Sequence, residues 1–153
     1  MKLFAFTLDL EAEYAGLINE YHILKDLAII EKFLSELASL DVKITVFAVG
    51  EIFDRFPQVI RLFEKYECEF EPHSYSHNFD YADSEIEIIK AKDAYVKYFK
   101  MPPRGYRAPR GKISDSGIKF LEEHGFLYDS SIFPSFFPNP FKYFLVNREA
   151  HYY

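Results

Sequence analysis

Apolar and polar residues along this chain alternate between two periods. Lys2 to Leu8 is a short, mostly apolar run that ends at Asp9 and Glu11, the pattern of a buried strand handing two carboxylates to a loop. Leu24, Leu27, Ala28, Phe33, Leu34, Leu37 and Leu40 then recur at spacings of mostly three or four, with Lys25, Glu31, Lys32 and Glu36 between them, which predicts an amphipathic helix over 24–40. Lys43 to Val49 is a second β-branched and aromatic run closed by Gly50. Pro57 opens a helix with Val59, Ile60, Leu62 and Phe63 on its apolar face. A strand near Cys68 to Phe70, a helix from Ser84 to Phe99 stopped by Met101-Pro102-Pro103, and a very short strand at Tyr106 continue the series. Ser114 caps a helix running to His124, Gly125 stops it, and Phe126 to Tyr128 begin a fifth strand.

Strands and helices alternating in this way predict an α/β protein with a parallel sheet and right-handed crossovers. Periodicity does not choose between an open doubly wound sheet and a closed barrel. After Ser131 the alternation breaks at Phe133-Pro134, Phe137-Pro138 and Asn139-Pro140. A closed barrel takes about 250 residues, so residues 1–153 are read as one domain, incomplete as a barrel at its C-terminal side. Its open edge calls for cover by the aromatic tail, by further polypeptide, or by another chain, a second copy included.

Composition narrows the function. The 153 residues carry a net charge of −6 and no run of basic residues, which excludes a phosphate-tracking surface and predicts no nucleic-acid partner. The 12 Tyr and 17 Phe suit both a packed core and a sugar-binding cleft. The single Cys68 reads as a small buried hydrophobe without a redox role. The N-terminal run lacks the long apolar stretch and cleavage site of a signal peptide, and no stretch reads as a transmembrane span, so the expected location is cytoplasmic, with a substrate at the membrane surface still compatible.

Three constellations carry chemistry. His73-Ser74-Tyr75-Ser76-His77 offers two imidazoles four apart, a spacing that on a helical turn turns both rings to one side, each able to reach a divalent ion at about 2.0–2.1 Å. The competing reading is a surface turn with two solvated histidines. Asp9-Leu10-Glu11 follows the first strand, where a parallel α/β protein builds its ligand site. One carboxylate suits a third metal ligand and the other a proton acceptor, unless the pair merely complements a helix N-terminus. Arg107-Ala108-Pro109-Arg110-Gly111 follows another strand. A guanidinium turned inward from it would keep a catalytic carboxylate ionised and oriented, while solvation of Arg104, Arg107 and Arg110 at the surface is the other account.

The three motifs occur in order, each after its own strand. Thr7-Leu8-Asp9-Leu10-Glu11, His73-Ser74-Tyr75-Ser76-His77, Tyr106-Arg107-Ala108-Pro109-Arg110-Gly111 and Gly125-Phe126-Leu127-Tyr128-Asp129-Ser130-Ser131 together resemble the NodB-homology polysaccharide deacetylases, carbohydrate esterase family 4. The resemblance implies a distorted β/α barrel and hydrolysis of N-acetyl or similar acyl groups on a carbohydrate, glycan or glycan precursor. It implies Asp9 as the general base, Arg107 as its brace, and Glu11, His73 and His77 as ligands of a divalent metal, zinc first with cobalt, nickel or manganese as alternatives. By the same analogy Arg110, through its backbone N–H, and Tyr75 lie on the oxyanion and substrate side.

Leu10 separates the two acids that are commonly adjacent in that family, which leaves Asp9 as an alternative ligand. The family's C-terminal general-acid histidine has no counterpart here: His124 reads as a helix C-terminal residue and His151 is two residues from the end. The other functional readings are therefore hydrolysis of a different non-peptide C–N bond, of the cyclic imide or ureide type, and an inactive relative that binds a glycan or a partner chain.

Overall fold

The structure, a computed structural model, describes residues 5–12, 20–78, 80–81 and 83–132 and the backbone of 151–152. Strand β1 (Phe6–Leu10) is followed by helices α1 (His22–Lys25) and α2 (Leu27–Ser39), then by strand β2 (Ile44–Ala48). Helices α3 (Gly50–Arg55) and α4 (Pro57–Lys65), strand β3 (Glu69–Pro72) and helix α5 (Glu85–Phe99) continue the chain. Strand β4 (Gly105–Tyr106), helix α6 (Asp115–Glu123), and strands β5 (Tyr128–Asp129) and β6 (His151–Tyr152) complete it.

Local chemistry accounts for the element ends. Asp26 caps α2 by accepting from the N–H groups of Ala28 and Ile29, Pro57 supplies the preset first turn of α4, and Ser84 and Ser114 accept the N–H groups of Glu87 and Gly117 to start α5 and α6. Asp26 also divides the single helix expected over 24–40 into two. Gly125, at φ +80, ends α6 in a conformation that costs a glycine little.

Strands β1, β2 and β3 form a parallel sheet in that order, and the register explains where the chemistry lies. Leu8, Val46 and Phe70 face the helices in one row, with Leu10, Ala48 and Pro72 in the next. On the other face, Thr7, Thr45 and Glu69 make one row and Asp9, Phe47 and Glu71 the next. The central strand is covered on both sides: Ile44, Val46, Phe47 and Ala48 are all buried. The helix side of the sheet packs with Ile30 and Leu34 of α2, Ile52 and Phe53 of α3, and Val59, Ile60 and Phe63 of α4 into the main core. A second cluster, Ile88, Tyr106, Ala108, Leu121 and Phe126, lies under β4 and α6.

Strands β4 and β5 are parallel and β6 joins β5 antiparallel. Between β3 and β4 the ladder gives way to side-chain bonding. The buried Glu71 carboxylate accepts the N–H groups of Arg104 at 2.9 Å and Gly105 at 2.8 Å, and the Arg107 N–H reaches the Pro72 carbonyl at 3.1 Å. The α/β alternation is thus as expected, and the described residues show two three-stranded sheets and no closed barrel. Two elements were not anticipated, α3 and β6. The first strand also runs two residues further than its apolar run, because pairing with β2 extends to Leu10 and takes Asp9 into the strand. The aromatic segment over 133–150 lies outside the described residues. Among the described residues no helix is long and apolar enough to cross a membrane.

Candidate metal centre

The His73–His77 segment is not the helical turn that its spacing suggested. It is a loop leaving β3 in which Ser74 and His77 both take left-handed backbone angles, φ 55 and 57. Neither is glycine, so bonds must hold the loop in place. The His73 N–H reaches the Ala48 carbonyl at 2.9 Å, and the N–H groups of Gly50 and Glu51, opening α3, donate to the carbonyls of Ser74 at 2.9 Å and Tyr75 at 3.1 Å. The Ser74 hydroxyl accepts the His77 N–H at 3.0 Å, and the Glu87 carboxylate takes the N–H groups of Tyr75 and Ser76. Gly50 permits the approach: a Cβ there would sit 2.7 Å from the Tyr75 ring and 3.1 Å from its Cα.

This backbone brings both imidazoles to Glu11, just beyond β1. Glu11 Oε2 lies 3.4 Å from His73 Nε2 and 2.5 Å from His77 Nε2, and one donor atom from each of the three residues falls within 4.8 Å of the other two. Ligands about 2.0–2.1 Å from a tetrahedral zinc-like ion stand about 3.3 Å apart, so the Glu11–His73 pair is already at ligand spacing. The Glu11–His77 pair is in direct hydrogen bond, a contact that a cation would replace. His73 Nδ1 is 2.8 Å from the Arg107 carbonyl oxygen. That acceptor requires the proton on Nδ1 and leaves the Nε2 lone pair facing Glu11, the arrangement that fixes the tautomer of metal-binding histidines. Burial raises the Glu11 carboxyl, but when the imidazoles also carry a proton on Nε2 their hydrogen bonds and positive charge outweigh it and bring the group down to about 2. A cation bound through Nε2 would take the place of those protons. The donor set fits a divalent cation that takes nitrogen and oxygen.

Asp9 stands beside this cluster but is bonded elsewhere. Its Oδ1 accepts from Arg107 at 2.6 Å, while Oδ2 remains 4.0 Å from His73 Nε2. The buried Arg107 guanidinium is held on every side: it lies 3.9 Å over the Phe47 ring, donates to Thr7 Oγ1 at 3.2 Å, and reaches the Ser130 carbonyl at 3.1 Å and hydroxyl at 2.8 Å. Ser131 closes the network, giving its hydroxyl proton to the buried Asp129 at 2.5 Å and accepting the Ala108 N–H at 2.7 Å. Five of the seven sequence-predicted site residues, Asp9, Glu11, His73, His77 and Arg107, therefore meet at one end of the sheet.

Tyr75 is placed differently. Its ring rests against Gly50, with Lys90 Nζ at 5.8 Å, in a cavity lined by Asp54, Lys90, Asp93, Ala94 and Lys97 and by none of the five. Arg110 is exposed, at φ 55, in the single turn Pro109–Gly111. His124 stacks 3.8 Å from Phe120 at the end of α6 with Nδ1 on the Phe120 carbonyl, as a helix-end residue. The side chain of His151 lies outside the described residues.

The roles of Thr7, Phe47, Glu71, Glu87, Ser130 and Ser131 were missed. Thr7 lies in the Thr7-Leu8-Asp9-Leu10-Glu11 motif and Ser130 and Ser131 in the Tyr128-Asp129-Ser130-Ser131 run, whereas no motif contains Phe47, Glu71 or Glu87.

Comparison with known proteins identifies the family. The polysaccharide deacetylase family model matches residues 26–128, more than half of the chain, and the chain belongs to that family. The match contains His73, His77 and Arg107 and begins after Asp9 and Glu11. A curated relative, the peptidoglycan-N-acetylglucosamine deacetylase of Bacillus cereus, is 26% identical over 106 residues, which make up 67% of this chain and 38% of the relative. A solved structure of a provisionally assigned polysaccharide deacetylase from Mycobacterium smegmatis superposes with a TM-score of 0.64 at 26% identity, over 84% of this chain and 50% of its own. A family 4 carbohydrate esterase pseudoenzyme from Bacillus anthracis shares the fold, with a TM-score of 0.60 at 18% identity over 80% of this chain and 41% of its own. The chain thus spans half or less of the length of each of these relatives.

Proposed function

We propose that this chain forms the metal-binding part of a distorted β/α barrel that removes N-acetyl or similar acyl groups from a carbohydrate, glycan or glycan precursor. The observation that carries the reading is the convergence of Glu11, His73 and His77, whose donor atoms lie within 4.8 Å of one another, beside an Asp9 held separately by Arg107. Glu11, His73 and His77 would hold the cation, zinc first and cobalt, nickel or manganese as alternatives, through two neutral imidazoles and one carboxylate. When bound, the cation supplies Lewis acidity toward an acyl oxygen and a water.

The remaining steps belong to the chain. Asp9 Oδ2, unclaimed by Arg107 and 4.0 Å from His73 Nε2, is placed to take a proton from a water next to the cluster. Arg107 keeps Oδ1 from rotating, so that Oδ2 faces the cluster. His73 keeps its Nδ1 proton on the Arg107 carbonyl throughout. The backbone N–H of Arg110 is the proposed donor to the oxyanion. This division of labour favours Glu11 over Asp9 as the ligand.

The deciding measurement is amine release from N-acetylated chito-oligosaccharides and peptidoglycan fragments by purified protein, with and without added Zn²⁺ or Co²⁺. Cation-dependent release that is lost in Asp9→Asn supports the reading. Absence of release despite stoichiometric cation uptake would leave a cation-loaded relative that binds glycan without cleaving it.

A further inference from the structure

Ser84 and Glu87 stand three apart at the start of α5, the spacing of a capping box in which the glutamate carboxylate returns to the N–H of the capping residue. Half of that box forms. Ser84 Oγ accepts the Glu87 N–H at 3.4 Å, but the Ser84 N–H goes to the Tyr81 carbonyl at 2.9 Å, which leaves the Glu87 carboxylate free to turn away from its own helix. Its Oε2 accepts three donors from the His73–His77 loop: the Tyr75 N–H at 3.1 Å, the Ser76 N–H at 2.8 Å and the Ser76 hydroxyl at 3.1 Å. Glu87 is only 8% exposed. A carboxylate so buried persists where charge-assisted bonds offset its desolvation, and here the bonds come from the loop that carries the two imidazoles.

The loop is clamped from two flanks. The opening of α3 holds its carbonyls, those of Ser74 and Tyr75, and Glu87 holds its amides, those of Tyr75 and Ser76. The two residues held by Glu87 lie between Ser74 and His77, the two residues of this loop in the left-handed region. Without Glu87 those amides would have to find solvent or another acceptor, and the left-handed angles that set the direction of His77 relative to His73 would lose their restraint. A helix cap has been diverted into a brace for the candidate cation site.

We propose that Glu87 is a positioning residue of the cation site, fixing the mutual orientation of His73 and His77 so that both Nε2 atoms point at Glu11. The proposal rests on the cation-site reading above. It predicts that affinity and coordination geometry, beyond overall stability, depend on an oxygen acceptor at the end of a side chain of this length.

Co²⁺ titration by calorimetry and visible absorption tests it, with far-UV dichroism to establish folding, on the unaltered chain, His73→Ala as control, and Glu87→Gln, Glu87→Asp and Glu87→Ala. Because all three donors converge on one oxygen, Glu87→Gln should stay within about threefold of the unaltered affinity, whereas Glu87→Asp and Glu87→Ala should weaken binding by roughly 10–100-fold and change the d–d bands. Unaltered affinity and spectrum in a folded Glu87→Asp or Glu87→Ala would overturn the positioning role while leaving the cation site standing. Failure of both variants to fold would assign Glu87 to folding and overturn it too. No Co²⁺ uptake by the unaltered chain would remove the cation-site reading itself, and the proposal with it.

Discussion

The imidazole of His73 and the backbone of Arg107 are joined by a 2.8 Å hydrogen bond between Nδ1 and the carbonyl oxygen. One residue therefore serves both halves of the site: the Arg107 carbonyl orients a candidate ligand, and its guanidinium, 2.6 Å from Asp9, orients the candidate base. His73 and Asp9 are therefore coupled, because both are bonded to the residue just after β4.

Removing either imidazole should abolish cation uptake. His73→Ala and His77→Ala each delete one of three donors, a larger loss than the roughly 10–100-fold typical of outer residues. Zn²⁺ or Co²⁺ calorimetry reads this directly. Retained stoichiometric binding in both variants would mean that the three donors do not share an ion.

Arg107→Lys should be a damaging substitution despite the retained charge. The guanidinium bonds Asp9, Thr7 and both oxygens of Ser130 while lying on Phe47, and one ammonium cannot satisfy that fork. Leaving buried partners unpaired costs about 1–3 kcal/mol in urea unfolding. In an active preparation the loss should fall on kcat more than on KM, by about 100-fold at the level typical of general-base steps. A lysine variant with unaltered unfolding midpoint and turnover would contradict the brace role.

Gly50→Ala tests the close approach of α3 to the histidine loop. The new methyl would meet the Tyr75 ring at 2.7 Å, the Tyr75 Cα at 3.1 Å and the Ala91 Cα at 3.3 Å, so backbone on two sides must move. Overpacking of this kind costs about 1–3 kcal/mol. The loss should appear as a lower urea midpoint together with weaker Co²⁺ binding, since the displaced segment carries both imidazoles.

Glu71 gives the fold a pH dependence with a definite sign. Burial raises its carboxyl from 4.5 to about 7, against the lowering effect of the Gly105 and Arg104 N–H bonds. A group whose pKa is higher in the folded state contributes stability that is complete below 4.5 and is lost as the pH rises through about 7. The loss is on the order of 3 kcal/mol once the group is fully ionised. Glu71→Gln keeps an oxygen for both N–H groups and cannot ionise, so its urea stability should vary less between pH 5 and pH 9 by about that amount. Parallel pH profiles for the two proteins would show that Glu71 does not control this dependence.

The parts of the molecule that could be read from the chain are those settled over short distances along it. The helix faces of α2 and α5, the Ser114 cap, the stop at Gly125 and the apolar run of β2 each depend on neighbours within a turn or a strand, so periodicity and capping chemistry were enough. The five meeting residues were found because each motif stands at the end of its own strand, and parallel strands deliver their ends to one edge. The loop of His73 and His77 was misread as helical because its left-handed angles depend on bonds from α3 and α5 that no local pattern announces.

By itself, then, the order of residues determined the α/β alternation and the set of side chains able to meet a cation, since secondary structure and strand polarity follow from local patterning. Tertiary structure alone decided how those side chains are arranged. It set Glu11 rather than Asp9 against the imidazoles, spent Asp9 Oδ1 on an arginine 98 residues away, put the Tyr75 ring between α3 and α5, and turned Glu87 from its helix to the histidine loop. These are contacts between segments distant in sequence, fixed by sheet register and by the need to pair every buried polar group, and both arise only when the chain is packed.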